Sequence, residues 1–267
     1  MTFEVVASGY GLPEAPRVDD GGGLWFSDVL GGGVRRLPPD GGEPEVVVPG
    51  RRGVGGLVLH ADGGAVVGGR DLVHVREGES RTVLAVEGIS GFNDLTTDAD
   101  GRIVVGGLRF YPFRGEAPVP SAVWRAGLDG RSEVLFDGGI LWPNGMGYSP
   151  DGSILYACDY AAACVLAWDG SRVRTLAEAP RGECDGLAVD VEGGVWVALG
   201  NGGAIARFSP EGEVTELLDV PAAFVASLCL HEDDLWVTAV RDESGSGGVV
   251  MRGPAPARGL PVARARV

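Results

Sequence analysis

Four oxygen-bearing side chains recur at one position of an internal repeat: Glu14, Asn93, Asn144 and Asp185. Asn93, Asn144 and Asp185 each stand seven residues before the acid of a glycine-containing turn, at Asp100, Asp151 and Glu192. Glu14 takes the same place when its unit is aligned on Gly21; the second unit has Gly55 there and the sixth has Ala226 or Ser227. Asx residues often cap turns at strand ends, which accounts for one asparagine but not for four oxygens in register. Two carboxylates brought together without a cation repel each other and lose hydration. A divalent ion removes that conflict, and the amides add neutral oxygens. One divalent metal ion is therefore expected at the centre of the molecule. Carboxylate and amide oxygens are hard donors, so Ca²⁺ comes first, with Mg²⁺, Mn²⁺, Zn²⁺ or Fe²⁺ as alternatives.

The elements that must position these residues are short strands. Six turns, each followed by a β-rich run, recur at intervals of about 40 residues: DDGGGLWFSD, ADGGAVVGG, DADGRIVVGG, SPDGSILYACD, VEGGVWVALG and EDDLWVTAV. Each unit has room for a second pair of strands, as in GGAIARFSP followed by EGEVTELLDV. A period of that length with a hairpin signal per unit predicts propeller blades, and no stretch shows helical periodicity. The expected fold is all-β, a single six-bladed β-propeller domain over residues 1–267 with the metal site on its axis. FEVVA at the N-terminus is expected to close the ring as a strand of the last blade, with an Arg-containing tail after the final strand. The longest unit carries RFYPFRGEAPVP, an insertion expected on one face over the site.

Composition narrows the partners. A formal net charge of −15 argues against nucleic acid and anionic membranes. All 22 basic residues are Arg, which removes lysine Schiff-base and P-loop chemistry. No segment reads as a signal peptide or membrane span, so a cytoplasmic monomer acting on a small molecule is expected. Cys158, Cys164, Cys184 and Cys229 show no CxxC spacing and read as reduced thiols, Cys158 and Cys164 pairing only if their strands meet. His60, His74 and His231 read as core or surface residues. Ser149, Ser209 and Ser227 lie outside any GxSxG elbow, which leaves a Ser-His-Asp triad without support.

PEAPRVDDGGGLWFSDV, FNDLTTDADGRIVVGG, PNGMGYSPDGSILYACD and CDGLAVDVEGGVWVALGNGGAIARF together make the chain resemble the gluconolactonase, regucalcin and senescence-marker-protein family over nearly its whole length. The resemblance implies a six-bladed propeller with Glu14, Asn144 and Asp185 as metal ligands and Asn93 at the fourth axial position, touching metal, water or substrate. It implies hydrolysis of a lactone, with the metal as Lewis acid and Asp185 as general base. Departures bear on the substrate. Gly91 stands where sugar-lactone hydrolases of the family often carry Arg, and Cys184 replaces a common Pro. Phe92, Phe110, Tyr111, Phe113, Trp142 and Tyr160 suggest a less sugar-like mouth. Arg109, Tyr111 and Trp142 are the expected substrate contacts beside Asn93, with Arg109 supplying the missing guanidinium. Phosphotriester hydrolysis of the diisopropyl fluorophosphatase kind, a non-hydrolytic metal reaction and a non-catalytic calcium-binding propeller are the rival readings.

Overall fold

Runs such as Leu24–Asp28 and Val195–Ala198 are buried along their whole length, because each sheet is covered on both faces. The computed structural model, which describes residues 1–242 and 247–267, arranges these runs in six four-stranded antiparallel sheets. They are the six expected blades. The only helix among the described residues is the 3₁₀ turn Pro112–Arg114, inside the long insertion. No helix among the described residues is long and apolar enough to cross a membrane.

Five blades are built from four consecutive strands. The last takes its outer strand from the other end of the chain: Glu4–Tyr10 pairs with Gly248–Pro254, followed inward by Asp234–Val240 and Phe224–His231. The ring is thus closed as expected, and Tyr10, Phe26, Trp236 and Val250 pack together across the seam. The tail after Pro254 runs back under the ring. Its backbone bonds Asp233, Val189, Leu59 and Gly101 in turn, in blades six, five, two and three. Val267 accepts from His60 and Arg81 at its carbonyl, and the His60 ring stacks on His74 at 3.9 Å. The two histidines are occupied by packing.

Apolar burial is divided into six clusters, each filling the wedge between neighbouring blades. Leu57 and Val73, for example, meet Ala15 and Trp25 between blades two and one. Since the wedges carry the hydrophobic stabilisation, the axis can be lined with polar groups.

The lower rim explains the repeated acid-and-glycine turns. Asp19 accepts from the backbone of Gly21 and Gly23 at 2.9 Å, from Trp25 Nε1 at 2.8 Å and from Arg36 Nε at 2.6 Å. Asp190 repeats this in blade five with Gly194 N, Trp196 Nε1 and Arg207 Nε, each at 2.8 Å. The capping residue of the first turn is thus Asp19, one before the acid on which the repeat is most easily aligned. Burial opposes ionisation of Asp19, but the bonds from Arg36, Trp25 and Gly23 outweigh it and hold the carboxyl at about 2.

Candidate functional site

The innermost strands of four blades carry a bulge at the repeated axial position. Register shifts fall between Glu14 and Arg17, Phe92 and Leu95, Pro143 and Met146, and Val225 and Ser227. In blades two and five the strands Leu57–Leu59 and Leu187–Val189 begin just after the pairs Gly55–Gly56 and Asp185–Gly186. A bulge sets two successive residues against one partner and re-aims a side chain. Here it turns one residue of each pair toward the axis. Ala15 takes φ 51° to do so, an uncommon geometry for a residue with a Cβ.

Neighbouring pairs lock together. Gly145 N donates to Asp185 O at 3.0 Å, and Gly186 N donates to Ala226 O at 2.8 Å. These equivalent bonds identify Ala226, not Ser227, as the sixth axial residue. Gly145 has no room for a side chain, since a Cβ would lie 2.2 Å from Leu187 N. A Cβ on Gly55 would lie 2.3 Å from Asn93 Oδ1, so the bare position in blade two is filled by the amide of its neighbour. Asn93 Nδ2 donates to Pro143 O at 2.9 Å, which leaves its Oδ1 as the outward-facing group.

Two acids clamp the chain as it enters the column. Asp28 accepts from Gly11 N, Leu12 N and Gly31 N, at 3.2, 3.1 and 2.9 Å. Asp159 accepts from Leu141 N, Trp142 N and Ala162 N, at 2.8, 3.1 and 3.2 Å. They fix the segments leading to Glu14 and Asn144.

Glu14, Asn144 and Asp185 are buried, as is a third carboxylate, Asp94, which the repeat count does not select. Burial drives the Glu14 carboxyl well above its ordinary range, and the charges of Asp185 and Asp94 push it further. Asp185 is likewise raised, by burial first and then by Asp94 and Glu183, while the Asn144 amide works the other way. Burial raises Asp94 to about 6, against the opposing charge of Arg17. Asp185 Oδ1 is one of three buried side-chain polar atoms among the described residues with no hydrogen-bond partner. Buried carboxylates in mutual repulsion, one with an orphaned oxygen, are the chemistry a cation would complete. No three His, Cys, Asp or Glu among the described residues form a metal-binding group by themselves, so such a site depends on the amide oxygens of Asn93 and Asn144 as well. That donor set suits a hard divalent ion.

Around the mouth, Trp142 meets Phe110 edge-on at 5.3 Å and Tyr160 at 4.7 Å. Burial raises the Tyr160 hydroxyl, with Asp185, Glu183 and Glu14 adding to the shift. Arg109 is turned elsewhere, bidentate on Asp137 at 2.8 and 2.9 Å with a further bond to Pro120 O. Tyr111 is exposed and lies under Arg114. Phe92 is a core residue, perpendicular to Trp124 at 6.1 Å. All four cysteines are free; Cys158 sits opposite Val165 and neighbours Cys184 rather than Cys164.

The family model described as SMP-30/Gluconolactonase/LRE-like region matches residues 12–241. A 6-deoxy-6-sulfogluconolactonase of Pseudomonas putida is 27% identical over 82% of this chain and 79% of its own length. A pentonolactonase of Haloferax volcanii is 28% identical over 84% of this chain and 80% of its own length. Among solved structures, the calcium-binding protein regucalcin of Agrobacterium tumefaciens superimposes with a TM-score of 0.84 at 20% identity, covering 98% of this chain and 97% of that one.

Proposed function

Because this chain belongs to the SMP-30/Gluconolactonase/LRE-like family, we propose that it opens a lactone ring by hydrolysis at the axial column. The observation that carries the reading is the buried Asp185 carboxylate with its unpartnered Oδ1, set beside Glu14, Asn93 and Asn144. Glu14, Asn144 and Asp185 would hold one divalent ion, Ca²⁺ by the hardness of the donors. When bound, the ion supplies positive charge that offsets the carboxylates and draws electrons from a carbonyl.

Asp185 is the general base. Its free oxygen takes a proton from the attacking water as the water oxygen bonds to the carbonyl carbon. The same carboxyl then returns that proton to the ring oxygen as the C–O bond breaks, leaving a hydroxy acid. The Asn144 amide orients Asp185. Asn93, its N–H₂ engaged by Pro143, offers an acceptor, which suits a substrate hydroxyl or the water rather than a developing oxyanion. Phe110, Trp142 and Tyr160 form a wall that excludes bulk water and contacts the ring substituents. With Gly91 in place of a guanidinium and Arg109 tied to Asp137, that wall favours lactones with apolar substituents over sugar lactones.

Chelator-stripped protein is to be assayed on sugar, alkyl and aromatic γ- and δ-lactones, resupplied in turn with Ca²⁺, Mg²⁺, Mn²⁺, Zn²⁺ and Fe²⁺. Ring opening restored by one metal is expected, fastest on apolar lactones. Metal uptake without hydrolysis of any member would overturn the reaction class, and preference for sugar lactones would overturn the role given to the aromatic wall.

A further inference from the structure

Three residues after each column residue, the same six strands contribute a second ring: Arg17, Val58, Thr96, Gly147, Ala188 and Cys229. Five of the six are uncharged, and Gly147, Ala188 and Cys229 are small. Arg17 stands alone in carrying charge. It is 9% exposed, its Nη1 donates to Pro16 O at 2.8 Å, and its Nε has no partner. With Thr96, Gly147, Ala188 and Cys229 it lines a cavity of about 920 Å³ in the lower channel. Its field reaches Glu14 and Asp94 above it and Cys229 on another blade. The small residues of the ring leave room for this long side chain beneath the column.

A guanidinium stays protonated under all ordinary conditions, and burying one is costly unless opposite charge compensates it. Hydrogen bonding does not supply the compensation here, because Nε is orphaned. The carboxylates of the column do.

We propose that Arg17 is a built-in counter-cation of the axial site: it steadies the carboxylate ring while no ion is bound and opposes the ion that enters, so that it sets how tightly this chain holds a divalent metal. This rests on the metal reading of the column. Two like charges in one partly buried cluster act on each other strongly. A divalent ion bound by Glu14 and Asp185 would therefore sit against the field of Arg17, and Asp94 would be the group that moderates it.

The experiment is calorimetric titration of the chelator-stripped chain with Ca²⁺ at pH 7.5, together with its thermal midpoint in chelator, for wild type, Arg17→Gln and Arg17→Lys. The Gln variant is expected to bind Ca²⁺ about tenfold or more tightly than wild type and to melt earlier in chelator. The Lys variant is expected to stay close to wild type in both. A Gln variant equal to wild type in both readouts overturns the proposal, and so does a Lys variant that behaves like Gln. A Gln variant that remains unfolded in saturating Ca²⁺ also overturns it, since the ion would then replace the missing charge. If wild type takes up no divalent ion, the metal reading fails, and the melting order in chelator still decides whether Arg17 steadies the ring.

Discussion

The innermost strands are flanked by two sets of acids five residues apart, the buried Glu14 and Asp185 at the column and the half-buried Asp19 and buried Asp190 at the lower turns. The lower pair is saturated: each carboxylate takes two backbone N–H groups, a Trp indole and an Arg. The upper pair is starved, with Asp185 Oδ1 left bare and both carboxyls pushed upward by burial and by neighbouring acids. Asp185 and Asp190 are the same residue type and equally buried; what differs is who donates. A satisfied buried acid is part of the scaffold, whereas an unsatisfied one holds capacity for something from outside.

Substitutions at matched positions can break this contrast. Asp185→Ala is expected to lower kcat for lactone opening by about 10³-fold or more while leaving the circular dichroism spectrum unchanged; retained turnover would remove it from the base role. Asp190→Asn should do the reverse. It removes a buried partner of Arg207 and Trp196, so a loss on the order of 3 kcal/mol in urea unfolding is expected, with kcat per folded molecule unaltered.

The two sets should also respond to pH with opposite signs. Asp19, held at about 2 in the fold, contributes stability that is present above its unfolded value near 4 and is lost as pH falls through about 2. Asp94, raised to about 6, binds its proton more tightly in the folded state, so its share is present below about 4 and is lost as pH rises through about 6. Glu14 and Asp185 are raised in the same direction. The thermal midpoint of chelated protein should therefore fall between pH 4 and pH 7, by an amount equivalent to about 3 kcal/mol for Asp94 alone, and Ca²⁺ should abolish most of that fall. A chelated midpoint that climbs over this range would contradict the starvation of the column. The smallest effect is expected at Arg109. Tied to Asp137 in an exposed pair, Arg109→Ala should change KM less than about threefold and stability by no more than about 1 kcal/mol.

Much of this arrangement can be read from residue spacing. The blades announce themselves because each needs its own acid-bearing turn, glycine-containing in the first five, and Glu14, Asn93, Asn144 and Asp185 line up because a repeated unit puts equal counts at equal heights. The bulges are what escape that reading. Alternation along Phe92, Asn93, Asp94 and Leu95 puts Asp94 opposite Asn93, whereas the shifted register buries Asp94 beside the half-buried Asn93. Arg17 escapes for the same reason, since its side chain can be followed into the channel only once the bulge at Glu14 and Ala15 is known. Arg109 reads as a free guanidinium in the sequence because its partner, Asp137, lies far along the chain on the outer strand of the same blade. Ala226 and Ser227 could be told apart only by the backbone bond from Gly186.

The separation of column from turn along each strand has a consequence for how such a protein can diverge. Site and scaffold are written at different addresses of one repeat: the capping residues near the lower rim hold the blades in shape, and the bulged pairs above them form the proposed site. A substitution at Ala226 or Arg17 can alter what the axis accepts without touching a turn. The fold is thus a dial with six stops, of which this chain has set four to oxygen, filled one with a neighbour's amide and left one, at Ala226, blank.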